Sequence, residues 1–125
     1  MYSLSVSDFF MVAHSLKGKE FGLAQNLHGA TFEITTEYKV KKLNNLGIVI
    51  DIVVATEILK KEINKFNYKN LDDLREFKNL NTTLEVLSEY IHRQISGHLS
   101  GHFEGSLKVT IRENPLAKSS YENKI

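Results

Sequence analysis

Two long runs of alternating residues require this chain to be built around a sheet. From Tyr2 to His14 the even positions read Tyr, Leu, Val, Asp, Phe, Val, His, while Ser3, Ser5 and Ser7 take odd positions. From His28 to Val40, Phe32, Ile34, Tyr38 and Val40 share one parity; Thr31, Glu33, Thr35, Glu37 and Lys39 share the other. A period of two sends successive side chains to opposite faces, so each run predicts a half-buried strand. Lys17 to Asn26, between them, is too long for a tight turn and predicts a connecting loop.

Asn44-Asn45-Leu46-Gly47 signals a turn, and Ile48 to Asp51 then predicts a short strand ending on a helix N-cap residue. Ala55, Ile58, Leu59, Ile63 and Phe66 follow helical spacing, with Glu57, Lys60, Lys61 and Lys65 on the other side. Residues 67–81 predict a long irregular connection. A second helix begins near Thr83, with Leu84, Leu87, Ile91 and Ile95 as its stripe, and Gly97 and Gly101 are expected to stop it. Leu107, Val109 and Ile111 start a further strand that runs to Glu113, ends at Pro115, and is followed by a short extended piece around Tyr121. This order predicts an α+β fold: an antiparallel four-stranded sheet with two helices on one face, in a single domain over residues 1–125.

A formal charge of +1 and one short basic run, Lys39 to Lys42, argue against nucleic acid. Cysteine is absent, which removes disulfides, thiolate ligands and cysteine nucleophiles. No signal peptide or membrane-spanning segment is legible, so a soluble cytoplasmic protein is expected.

The residues with chemistry are few. By parity, His14 and His28 fall on the apolar faces of their strands, so two imidazoles are expected near each other. Thr82-x-x-Glu85 ahead of an apolar stripe reads as a capping box. His98 and His102 are four apart, but Gly97 and Gly101 predict that both are solvated loop residues. Glu113 has the parity of Leu107, Val109 and Ile111, which predicts an inward, buried carboxylate that needs a cation, donors or a ligand.

Six segments in order resemble the 6-pyruvoyl-tetrahydropterin synthase and 6-carboxytetrahydropterin synthase family. They are Phe10-Met11-Val12-Ala13-His14, His28-Gly29-Ala30, Gly47-Ile48-Val49-Ile50-Asp51-Ile52, Phe66-Asn67-Tyr68-Lys69-Asn70-Leu71-Asp72, Thr82-Thr83-Leu84-Glu85 and Glu113-Asn114-Pro115. The resemblance implies a tunnelling fold (T-fold), assembly into trimers and hexamers, and a pterin-like ligand held between subunits. It implies zinc on His14 and His28, with Ala30 where the family has a third histidine. It also implies that Glu113 anchors the pterin, with Thr83 and Glu85 near the ligand.

The family's catalytic cysteine maps to Ala24 and its Asp-His pair to Asn67 and Tyr68. Alanine takes no proton, and two histidines fall short of the three protein ligands usual for catalytic zinc. The expected function is therefore a diverged family member that binds a pterin or purine-like heterocycle without the cysteine-dependent lyase chemistry. The alternatives are an active pterin lyase or aldolase with a rebuilt zinc site, and a non-catalytic assembly subunit.

Overall fold

The computed structural model describes residues 1–125. Strands β1 (Tyr2–His14) and β2 (His28–Val40) pair antiparallel over their whole length, from Tyr2 opposite Val40 to His14 opposite His28. Helix α1 (Ile52–Ile63) follows, then a two-residue strand β3 (Lys69–Asn70), helix α2 (Leu84–Leu99), and the hairpin β4 (Ser106–Asn114) and β5 (Ala117–Lys124). The sheet order is β3-β1-β2-β4-β5.

The alternation does what its period requires. Phe10, Val12, Phe32, Ile34 and Tyr38 are buried, and Leu107, Val109 and Ile111 join them from β4. Ala55, Leu59 and Ile63 of α1 and Leu87, Ile91, Ile95 and Leu99 of α2 close over this face in one continuous apolar cluster. Burying each large aliphatic side chain contributes about 1.5–3 kcal/mol, so this layer dominates the favourable side of folding. The opposite face carries hydroxyls and paired charges, including Ser7 to Thr35 at 2.7 Å and Arg112 to Glu33 at 2.8 Å.

Three details differ from the sequence-based expectation. The sheet has five strands, because Lys69–Asn70 adds a short parallel bridge beside Val12 and Ala13 and the tail forms a full strand. Ile48 to Asp51 is not a strand. The Asn44 side chain accepts from the N–H groups of Leu46 and Ile48, and Gly47 sits at φ 75°, so the segment is held as a turn leading to the Asp51 cap on Val53. Helix α2 also runs through Gly97 to Leu99. The cost of a helical glycine, about 1 kcal/mol, is offset by burial of Leu99 and by a hydrogen-bonded pair that His98 makes with a buried carboxylate.

That pair corrects the expectation for His98. Its Nε2 lies 2.7 Å from Oε1 of Glu62, a fully buried carboxylate that Lys65 also contacts at 2.9 Å. A buried carboxylate is tolerated when paired, and here it pins the ends of α1 and α2 together. His102 is exposed, as expected.

No helix is long and apolar enough to cross a membrane.

His92 supplies a test of the α2 docking. It is buried, its Nε2–H donates to the Leu107 carbonyl at 2.9 Å, and the Tyr121 ring lies 4.9 Å away edge-on. Burial holds its pKa below the ordinary imidazole value, against the pull of the Asn123 and Leu107 backbone. The unfolded chain therefore takes up a proton more readily than the folded one. Stability is full above about pH 6.5 and declines as pH falls below it, by at most about 1.4 kcal/mol per pH unit for this group. Urea unfolding between pH 7.5 and 5 should show that decline, and His92→Gln should reduce it, leaving the share of His14, whose pKa burial lowers in the same way.

Candidate functional site

The two long strands end together, so His14 and His28 face each other as the final pair of the β1–β2 ladder. Their ring centroids are 4.6 Å apart at 59°. Both line a cleft of about 320 Å³ with Leu16, Phe21, Ala24, Phe32, Thr82, Thr83, Leu84, Glu85 and Glu113. The structure thus brings His14, His28, Thr83, Glu85 and Glu113 to one place, from two sheet ends, a loop and a helix start.

Each wall has a local cause. The loop after β1 turns at Gly18 (φ 130°) and Gly22 (φ 54°), and the Leu16 N–H donates to the Ala24 carbonyl at 3.0 Å, which draws Phe21 and Ala24 to the cleft. The connection before α2 straps the end of β1 with side chains. Asp72 accepts from the backbone and hydroxyl of Ser15, and Asn81 exchanges two hydrogen bonds with the Lys17 backbone. Thr82 is buried at 2% exposure and places its hydroxyl 2.8 Å from His14 Nδ1. His28 Nδ1 lies 2.8 Å from the Asn26 carbonyl. Burial above all, then the neighbouring His28, lowers the His14 pKa; Asp72, the Thr82 backbone and Glu113 pull the other way.

The helix cap falls one residue later than expected. Thr83, not Thr82, accepts from the Val86 N–H at 3.2 Å. Two adjacent threonines divide the work: the first serves the histidine and the second the helix. Removing a threonine cap costs about 1 kcal/mol, so Thr83→Ala should lower stability by roughly that much in urea unfolding.

Glu113 borders the cleft but is exposed, because it lies past the last paired position of β4 with β2, Arg112 opposite Glu33, at a bulge where the β5 pairing skips from Arg112 to Asn114. No ion pair within the chain engages its carboxylate. It stands at the cleft mouth as a free acceptor rather than a buried charge.

Asn67 and Tyr68 do not line the cleft. Asn67 Oδ1 accepts from the Met11 N–H at 2.9 Å, and Tyr68 donates its N–H to the Met11 carbonyl while its side chain is exposed. Both residues fasten the connection to β1. Glu20 is exposed and also lies outside the cleft.

The donor set does not fit a catalytic zinc. No third histidine, cysteine or carboxylate, Glu85 and Glu113 of the same cleft included, lies close enough to the two imidazoles to share a metal ion with them, and Ala30 offers no side-chain donor.

An antiparallel sheet covered on one face by two helices, with a cleft where its two longest strands end, defines a T-fold protein. The family model for 6-pyruvoyl tetrahydropterin synthase matches residues 3–124, and the chain belongs to that family. A 6-pyruvoyl tetrahydrobiopterin synthase from Dictyostelium discoideum is 33% identical over 79 residues, which span 62% of this chain and 58% of that protein. The 6-pyruvoyl tetrahydropterin synthase of Caenorhabditis elegans has the same fold, with a TM-score of 0.84 at 24% identity over 98% of this chain and 95% of that one. A Plasmodium vivax 6-pyruvoyltetrahydropterin synthase, with a catalytic glutamate changed to alanine, gives a TM-score of 0.81 at 16% identity, covering 99% and 98%.

Proposed function

We propose that this chain is a diverged 6-pyruvoyl-tetrahydropterin synthase-like domain that binds a pterin or purine-like heterocycle in the cleft and does not perform the cysteine-dependent lyase reaction. The observation that supports binding is Glu113, an unpaired carboxylate at the mouth of a cleft whose walls include Phe21 and Phe32. A bidentate carboxylate suits the adjacent amino and ring N–H groups of a pterin. Thr83 and Glu85 flank it at the start of α2.

Lost chemistry is the counterpart. The lyase needs a group that moves protons between adjacent carbons, and Ala24 holds that place in the cleft wall. The edge of β5 and the length of β1 that the two-residue β3 leaves unpaired favour pairing with further copies, and a trimer or hexamer acting in the cytoplasm is the assembly we infer. Purified protein should bind neopterin with micromolar affinity and leave 7,8-dihydroneopterin triphosphate unconverted. Formation of 6-pyruvoyl-tetrahydropterin at a useful rate would overturn the loss of chemistry, and absence of pterin binding would overturn the ligand.

A further inference from the structure

We propose that His14 and His28 form a complementary donor and acceptor, and that this pair holds an uncharged hydroxyl group where the family resemblance places a metal ion. The ligand half of this proposal rests on the heterocycle reading above; the hydrogen-bond half does not.

A neutral imidazole carries one N–H and one lone pair, and each nitrogen's character is set by what the other one meets. His28 Nδ1 faces the Asn26 carbonyl, which only accepts. Its proton is therefore on Nδ1, and Nε2 presents a lone pair. His14 Nδ1 faces the Thr82 hydroxyl, whose sole hydrogen bond is this one. Thr82 is buried and its hydroxyl makes no other hydrogen bond, so we assign its proton to a lone pair on His14 Nδ1. The His14 proton is then on Nε2.

The competing tautomer turns a His14 Nδ1–H toward the Thr82 hydroxyl or backbone and leaves the hydroxyl proton buried without a partner. The two remaining ring nitrogens thus have opposite characters. A metal ion requires a lone pair from each, so binding one orphans the Thr82 proton. An alcohol meets both needs at once: its oxygen accepts from His14 and its proton is donated to His28. A ligand carrying a hydroxylated side chain beside its heterocycle suits this pair better than a bare ring.

The test is long-range proton–nitrogen correlation NMR on full-length protein labelled with 15N-histidine, at pH 7.5. His28 should show the Nδ1–H pattern and His14 the Nε2–H pattern, unchanged by one equivalent of zinc. Two Nδ1–H patterns, or zinc-induced loss of the His14 Nε2 proton, would overturn the proposal. A ligand arm compares neopterin, which has side-chain hydroxyls, with 6-methylpterin, which has none. His14→Gln should weaken neopterin about 10-fold and leave 6-methylpterin unchanged; equal loss for both would overturn the hydroxyl assignment. If neither pterin binds while opposite tautomers are seen, the heterocycle reading falls and the donor–acceptor pair stands.

Discussion

Replacing Glu113 by alanine is expected to weaken pterin binding on the order of 100-fold and to leave the fold intact. The two halves of that expectation come from the same geometry. Glu113 is exposed and unpaired within the chain, so its removal orphans nothing and stability should stay within about 0.5 kcal/mol. In the complex its two oxygens face two N–H donors of an uncharged ring. Hydrogen bonds to a charged group contribute about 1.5–3 kcal/mol each, and a net loss near 2.7 kcal/mol is a factor of 100 in affinity. Glu113→Gln tests the charge and the pattern together, because the amide turns a donor toward a donor. It should bind no better than the alanine variant. Calorimetric titration with neopterin measures the affinity, and urea unfolding controls for the fold. Unchanged affinity in a folded Glu113→Ala protein would remove the carboxylate from the ligand site.

Much of the frame was legible in the sequence because strict alternation has one structural solution. The parity of Tyr2 to His14 and His28 to Val40 was enough to place both histidines on the same inner face. The register then put them opposite each other, which no local pattern specifies. The corrections share a cause: tertiary partners overrode local propensity. Gly97 stays helical because Leu99 is buried beyond it and His98 reaches Glu62. Thr82 leaves the cap because His14 lies within hydrogen-bond reach, and adjacent Thr83 caps equally well. Glu113 shares the sequence parity of Leu107, Val109 and Ile111 without their burial, since β2 pairing ends at Arg112 and a bulge between Arg112 and Asn114 interrupts the alternation. The strap formed by Asn67, Asp72 and Asn81 was invisible because its partners are 56 to 64 residues away along the chain.

Restoring a single side chain should convert the donor–acceptor pair into a metal site without restoring chemistry. Ala30 lies opposite Val12 in the β1–β2 register and shares the parity of His28, so a histidine there joins His14 and His28 on the inner face. Ala30→His is expected to hold one equivalent of zinc. The affinity gain over the parent should be at least about 100-fold, because even a change in the groups around a ligand shifts metal affinity about 10–100-fold. Metal binding recruits the His14 Nε2 lone pair and forces its proton to Nδ1, so the Thr82 hydroxyl becomes an acceptor. Thr82→Val should consequently harm the parent's tautomer pattern more than zinc binding by the variant. The larger side chain enters a half-buried place, and overpacking of about 1–3 kcal/mol is the opposing cost. Metal analysis after dialysis, with chelator competition, measures the gain. Turnover of 7,8-dihydroneopterin triphosphate should remain absent, because Ala24, Asn67 and Tyr68 still supply no proton-transfer pair. Lyase activity in Ala30→His alone would show that the missing metal ligand, and not the missing base, is what silences the parent.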